Sequence, residues 1–327
     1  MTRDPFRLDG PTIINVSGGR TSALMLRRIL DAHGGVLPDD VHPVFANTGM
    51  ERPETLDFIA ECESRWGVPI VWLERDGKGP LHRRFREVTH DDAARSGEPF
   101  AELIRERMFL PNAVMRFCTE ELKIHVARDY MLSRGYSEWS SVLGLRRDEP
   151  ARVARVRERS TSKVDNLCPL YDAGVTKADV MAFWKASHFD LRLRPWESNC
   201  SLCFMKGRPV RERIMRDHPE LTAWWAEQEF LVGGRFHAHE PGYLKTAELV
   251  KRLPLLPLDL DPDESASIPC TCTDRRRPSL RRCTCGKRRG EGHALGCGMV
   301  FGEPQRASPV IHVEAPVRGA IGERGAA

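Results

Sequence analysis

The sequence predicts an α/β fold built on a parallel sheet, and three observations support it. A short apolar, β-branched run, residues 11–16, meets a Ser-Gly-Gly bend and passes into helix-forming residues 21–32, where Leu24, Leu26 and Ile29 recur. The alternation repeats: residues 41–46 read as a strand, 52–66 carry helical spacing through Leu56, Ile59 and Ala60, and 68–73 read as a strand again. A fourth strand-like run, Trp139 to Leu143, follows a helical stretch over 120–133 and stops at Gly144. Strands that alternate with helices are joined by crossovers, so they lie parallel.

Further along, Thr176 with Asp179 three residues on has the form of a capping box and opens a helix through Trp184. Residues 209–229 read as helical with a break near Pro219, and the two stretches frame the segment Asn199 to Phe204. Beyond about Leu231 the composition shifts to Pro, Gly and Arg, with few periodic apolar stretches after Leu260. The expected organisation is therefore a catalytic domain over 1–230, with a cysteine-bearing helical segment at about 160–230. A Cys/Arg-rich, irregular and partly disordered extension over 231–327 completes it.

Bulk properties bound the function. The 327 residues suffice for one main core plus appendages. Lys and Arg total 50 against 46 acids, a net charge of +4, so any preference for anions must be local. No run of about 18 apolar residues exists to cross a bilayer, and the N-terminus lacks a signal core, which predicts a soluble, cytoplasmic protein without a membrane partner. Ten cysteines in a chain of this length favour metal ligation or redox chemistry over a disulfide scaffold.

Ser17, Gly18, Gly19, Arg20, Thr21 and Ser22 sit where a strand ends and a helix begins, so the glycines free the backbone to curl and the first helical N–H groups point at one spot. Such a place attracts phosphate. Neither Gly-x-x-x-x-Gly-Lys-Ser/Thr nor Gly-x-Gly-x-x-Gly is present, which argues against a P-loop NTPase and a dinucleotide fold.

Ser-Gly-Gly-x-x-Ser after the first strand resembles the PP-loop of the N-type ATP pyrophosphatases and of the phosphoadenosine phosphosulfate (PAPS) reductase family. Asn47-Thr48-Gly49 with Glu51 and Glu54 resembles the stretch after strand two in that reductase family, Arg116-Phe117-Cys118-Thr119 with Lys123 is similar to its Arg-x-Cys-Thr-x-x-x-Lys segment, and Gly144-Leu145-Arg146-Arg147 is a fourth match. Together they cover residues 12 to about 230. The resemblance implies a Rossmann-like, doubly wound sheet of the adenine nucleotide alpha hydrolase type that binds ATP or an adenylyl nucleotide. It implies nucleotide or phosphate contacts from residues 17–22, Asn47, Thr48, Gly49, Gly144, Arg146 and Arg147, and catalytic roles for Glu51, Arg116 and Lys123, with magnesium as a further ligand for Glu51. Arginine forks suit pyrophosphate and sulfate oxygens, although a solvated surface charge is the plain alternative for each arginine. Asn47 and Glu51 are equally suited to capping the helix that begins near Pro53.

Cys200-x-x-Cys203 is a compact pair, and Cys118 and Cys168 lie in segments that the family fold would bring to the same mouth. Four thiolates suit a 4Fe-4S cluster or zinc. Adenylosulfate reductases resemble this arrangement, but they carry a Cys-Cys pair where this chain has Phe117-Cys118; Cys168, followed by Pro169, is the expected replacement ligand. Cys62 lies on the apolar side of a helix and reads as core. The tail holds Cys270, Cys272, Cys283, Cys285, His293 and Cys297 among arginines from Arg275 to Arg289, a basic stretch able to touch nucleic acid or hold zinc.

Three functions follow. Adenylation and sulfur insertion, as in iron–sulfur PP-loop enzymes that thiolate tRNA or sulfurate DNA, uses the loop, the cysteines and the basic tail, and needs a sulfur donor. Sulfonucleotide reduction with release of sulfite needs a thioredoxin-like reductant and, in the reductases, a C-terminal Glu-Cys-Gly-x-His nucleophile; the nearest feature here is Gly296-Cys297-Gly298. A non-catalytic nucleotide-binding module is the third, since Arg20-Thr21 stands where many pyrophosphatases carry Lys-Asp.

Overall fold

A computed structural model describes residues 4–194, 196–197 and 200–252. The strands are β1 (Thr12–Asn15), β2 (Val41–Asn47), β3 (Val71–Arg75), β4 (Phe85–Val88), β5 (Trp139–Leu143) and β6 (Val164–Leu167). The helices are α1 (Arg20–Ala32), α2 (Pro53–Trp66), α3 (Glu98–Arg107), α4 (Phe117–Thr119), α5 (His125–Ser133), α6 (Pro150–Arg157), α7 (Pro169–Asp172), α8 (Lys177–Ala186), α9 (Arg208–Asp217), α10 (Thr222–Val232) and α11 (Tyr243–Arg252).

The six strands form one sheet in the order β4-β3-β2-β1-β5-β6, parallel except for β4, which runs antiparallel to β3 at the edge. Alternate residues of the inner strands bury on opposite faces, as parallel strands covered on both sides require. Ile14, Phe45, Trp72 and Val142 pack with α1, α2 and α8, while Ile13, Val44 and Leu73 pack with Val126, Tyr130 and Met131 of α5. The sheet is thus doubly wound, as expected from the sequence.

From β1 the chain moves outward to β2 and β3, returns, and places β5 on the other side of β1. The crevice at the carboxyl ends of β1 and β5 is the point where strand order reverses, and open α/β sheets bind ligands at such a point.

Several boundaries differ from the sequence reading. β3 runs to Arg75 because its Glu74 and Arg75 find partners in Arg86 and Glu106. The helix expected over 120–133 begins earlier, at Phe117, and passes through a π-helical turn, Glu120–Ile124, before α5. The helical stretch over 209–229 divides into α9 and α10 around a 3-10 turn, Pro219–Leu221, as the proline demands. The packed body also continues past residue 230: Phe236, Tyr243 and Ala247 join Trp225 and Phe204 in a second apolar cluster. Buried Glu229 fastens that extension by accepting the backbone N–H groups of Phe236 at 3.1 Å and Tyr243 at 2.7 Å. The expectations for residues 261–327, including the tail cysteines, His293 and the basic stretch, lie outside the described residues. Among the described residues no helix is long and apolar enough to cross a membrane.

The capping box at Thr176 is formed as read: its side chain accepts from the Asp179 N–H, and the Asp179 carboxylate accepts from Thr176. Thr176→Ala is expected to lower unfolding stability by about 1 kcal/mol in a urea titration; an unchanged midpoint would remove the cap's contribution.

Candidate nucleotide and thiol site

The loop between β1 and α1 forms a tight bend. Gly18 has φ +78, and a Cβ there would collide with the Thr55 side-chain methyl of α2. Gly19 is the N-cap of α1; no side chain caps it, and no acidic residue stands in the first turn. The leading N–H groups of a helix have no intrahelical partner, so this end offers bare amides and the positive end of a dipole. Ser22 braces the bend from inside. Its Oγ donates to the Gly19 carbonyl at 3.0 Å and accepts from the Ser17 N–H at 3.0 Å.

The loop after β5 closes the other wall. A Cβ on Gly144 would stand 3.1 Å from the Ser22 Cα, so the two turns touch. Arg146 reaches across, donating to the Thr21 hydroxyl at 3.2 Å, and is itself steadied by Asp148 at 3.0 Å. Ser17, Gly18, Gly19, Thr21, Ser22, Gly144 and Arg146 are therefore brought together at the switch point.

Other predicted contacts are occupied elsewhere. The Arg20 guanidinium makes a bidentate pair with Asp190, at 2.6 and 2.7 Å, and also reaches the Leu191 and Leu193 carbonyls, while Trp184 donates to the Arg20 carbonyl at 2.9 Å. The Arg20 side chain thus holds the segment after α8 and its carbonyl holds α8 itself, leaving only its backbone amide for a ligand. Arg147 lies over the Tyr171 ring, 4.9 Å from the centroid. Asn47 is fully buried and donates to Glu74 at 2.7 Å and the Ala94 carbonyl at 2.9 Å. Gly49, φ +79, lets the chain pass so close to Gly97 that a Cβ would stand 3.0 Å from the Gly97 Cα, a packing requirement.

A second constellation stands at the carboxyl end of neighbouring β2. Glu51 is buried, and its carboxylate accepts from the Thr48 N–H at 2.9 Å, the Thr48 hydroxyl at 2.7 Å and Lys123 at 3.3 Å. The Cys200 thiol donates to Glu51 at 3.9 Å, and Ser201 donates its N–H to the Met50 carbonyl at 2.9 Å. Those bonds hold the Cys-x-x-Cys loop against the loop after β2. Cys118 and Cys203 pack on the same apolar cluster as Cys200. The π-helical turn directs Lys123 to Glu51, an extra-residue device common at functional sites.

Electrostatics at this site are set by burial. It pushes the Cys200 thiol up to about 12, with the Glu51 carboxylate adding to the rise and Lys123 opposing it. Burial likewise pushes Cys118 up to about 11, with Cys203 next in effect. Burial alone would lower the pKa of Lys123, but Glu51 and then the Cys200 thiolate hold it above the ordinary lysine value. Lys206 was not singled out from the sequence. It is buried beside Cys203 and Cys200, and desolvation lowers its pKa against their pull. Its one sequence signal is its position three residues beyond Cys203. Arg116 is exposed at the start of the same helix, donating to the Thr119 hydroxyl at 3.4 Å.

Cys168 does not join the other thiols. It is buried with Leu145 and Val153 beneath β6, and its charged neighbours are Arg157, Asp172 and Glu149. Among the described residues, no group of three or more His, Cys, Asp or Glu side chains could hold a metal ion as arranged here.

No protein-family model matches the chain. The chain is 29% identical over 204 residues to the uncharacterized nin region protein ORF290 of Escherichia phage lambda, covering 60% of this chain and 66% of that protein. It is 27% identical over 171 residues to an uncharacterized 37.8 kDa protein of Escherichia phage 186, covering 43% and 49%. The chain thus spans less than two thirds of the length of these relatives. Among solved structures it is similar to the PAPS reductase from Candida auris in its phosphate complex, at TM-score 0.35 and 14% identity over 54% of this chain and 72% of that one. It is also similar to the U34-tRNA thiolase NcsA from Methanococcus maripaludis with its 4Fe-4S cluster, at TM-score 0.34 and 13% identity over 77% and 76%.

Because the Glu51 carboxylate helps keep the Cys200 thiol protonated, Glu51→Gln should lower that pKa and raise the thiolate fraction at about pH 8.5. Iodoacetamide labelling of the metal-free chain, mapped by mass spectrometry, is expected to be faster at Cys200 in the variant. Slower labelling would contradict the assigned contact.

Proposed function

We propose that the chain binds ATP, or another adenylyl nucleotide, by its phosphates at the end of β1 and uses the thiols at the end of β2 for sulfur transfer to an acceptor. The observation that carries this reading is the uncapped α1 N-terminus at the switch point, with the Gly144 loop against it. Bare amides from Gly18 to Ser22 suit phosphate oxygens, and Arg146 adds a fork from across the crevice. An acceptor oxygen attacks the α-phosphorus, pyrophosphate leaves, and sulfide from a donor then displaces AMP, which carries the oxygen away. That sequence consumes no oxidant or reductant. Sulfonucleotide reduction would instead require a nucleophilic cysteine, and Cys297, its nearest sequence match, lies outside the described residues.

Glu51 acts as an organiser in this reading. Its oxygens already accept from Thr48, Lys123 and Cys200, so it orients the lysine and the thiol, and magnesium would arrive with the nucleotide rather than on Glu51. Lys123 presents a charge beside the crevice.

Cys118, Cys200 and Cys203 form an all-thiol donor set whose members feel one another's charge, with Lys123 and Lys206 placed to offset the thiolates. As arranged here they form no metal-holding group, so an iron–sulfur cluster, or zinc as the alternative soft-ligand metal, would require the three thiols to close up as it binds. When bound, a cluster would supply iron-held sulfide. Cys118 and Cys200, pushed up by burial, must lose their protons to bind it, so loading should release protons and weaken as pH falls. Cys168 is outside this set.

Three outcomes test the proposal. Gly19 has φ −98, and a Cβ added there would meet only the Ser17 Oγ, at 3.8 Å, so Gly19→Ala should fold like the parent. It should nonetheless lose at least about tenfold in ATP affinity by calorimetry, because the methyl enters phosphate space. Unchanged affinity would remove the phosphate site. Anaerobically purified protein is expected to carry iron and sulfide with absorbance near ~400 nm; Cys118→Ser, Cys200→Ser and Cys203→Ser should each lose iron, and Cys168→Ser should keep it. Full iron in Cys200→Ser would eliminate the cluster. With labelled ATP, AMP and pyrophosphate are the expected products. Sulfite from PAPS with thioredoxin would replace adenylation by reduction, and no product from either mixture would leave a binding module.

A further inference from the structure

The β3–β4 hairpin and α3 enclose a cavity of about 530 Å³ that the proposed chemistry does not use. Arg75, Lys78, Arg86 and Arg105 line it, set against the carboxylates of Asp76, Glu98 and Glu102. Two of the arginines are fixed by partners: Arg75 pairs with Glu106 at 2.6 Å, and Arg86 pairs with fully buried Glu74 at 2.6 Å. The loop from Asp76 to Arg84 is shaped rather than slack. Asp76 donates its N–H to the Arg84 carbonyl at 3.1 Å, Gly79 to the Asp76 carbonyl at 3.3 Å, and a Cβ on Gly79 would collide with the Arg83 carbonyl. Lys78 at the cavity's edge, and Arg83 and Arg84 beyond it, are exposed on this loop, and their side chains make no ion pair with a described residue.

We infer that this cavity receives an unpaired nucleotide of a single-stranded nucleic acid, with Lys78, Arg83 and Arg84 gripping the flanking phosphates. The inference rests on the sulfur-transfer reading and names its acceptor class. A recess offering both guanidinium forks and carboxylates matches a nucleotide, whose base edge and ribose hydroxyls present donors as well as acceptors. An acidic peptide would meet three carboxylates in the same recess. A base held within a duplex stack cannot enter a recess, which selects single strands. The cavity is also coupled to the thiols: Arg86 holds Glu74, Glu74 accepts from Asn47 at 2.7 Å, and the Asn47 side-chain carbonyl accepts from the Gly49 N–H at 3.1 Å, one residue from Thr48 and two from Glu51. An acceptor seated there lies at the same carboxyl edge of the sheet as the proposed chemistry.

The test is fluorescence anisotropy of the full chain with labelled single-stranded RNA, single-stranded DNA and a duplex of the same sequence, alongside ATP calorimetry. The parent should prefer a single strand to the duplex. Lys78→Glu/Arg83→Glu/Arg84→Glu, all at exposed positions, should lose at least about tenfold in single-strand affinity and about two units of the salt slope, with ATP affinity unchanged. Arg105→Ala should weaken single-strand binding without altering ATP affinity. Parent protein that binds no single strand, a duplex preference, or a triple variant that binds like the parent overturns the inference. Loss of single-strand binding in the triple variant upholds it even if the parent binds no ATP, an outcome that sinks only the nucleotide reading.

Discussion

The bend between β1 and α1 is the constraint on which the rest of the molecule depends. Gly18 must be a glycine twice over, for its positive φ and because Thr55 of α2 occupies the space a side chain would need. That contact lets α1 and α2 close on the same sheet face while the first amides of α1 stay uncovered. Ser22 braces the bend from within the helix through Ser17 and the Gly19 carbonyl, so the bend is held without covering the first helical amides. The Gly144 turn then meets Ser22 directly, and the strand order reverses between the two turns.

Around this bend, charged side chains divide into those that build and those left facing the crevice. Arg20 and Glu74 build: one holds the segment after α8 through Asp190, and the other ties β2, β3 and β4 through Asn47 and Arg86. Glu51 stands between the roles. It is buried, satisfied by Thr48 and Lys123, and placed against Cys200, so removing either neighbour would leave a desolvated carboxylate without its partner. Lys123 and Lys206 put two cations beside Cys118 and Cys200, whose ionisation burial opposes, a balance that favours thiolates only when something further, such as a metal, compensates them.

The doubly wound core was legible because its strands alternate with helices of strong period: β1, α1, β2, α2 and β5 follow directly from apolar spacing. β4 and β6 were not, since edge strands such as Phe85–Val88 and Val164–Leu167 are short, half exposed and carry charge where an inner strand carries Val or Ile. α11 was hidden by the Pro- and Gly-rich composition around it, and its place depends on Glu229 and on stacking of Tyr243 against Trp225, contacts distant in sequence. Within the site, backbone roles were readable and side-chain roles were not. Glycines announce a bend, but nothing in Arg20 or Asn47 alone says that Asp190 or Glu74 will capture it. The family resemblance places Cys168 at the mouth with the other cysteines, whereas the strand order carries it to the β6 side with Leu145 and Val153. Lys206 escaped because a lone lysine after a Cys-x-x-Cys pair has no distinguishing spacing.

The most direct measurement is a crystal structure of the protein with a non-hydrolysable ATP analogue. Phosphate oxygens are expected within hydrogen-bond distance of the backbone amides between Gly18 and Ser22, with Arg146 on the opposite side. A nucleotide seated elsewhere, or a 17–22 loop whose amides are covered by side chains when the analogue is present, would contradict the proposed chemistry at its base.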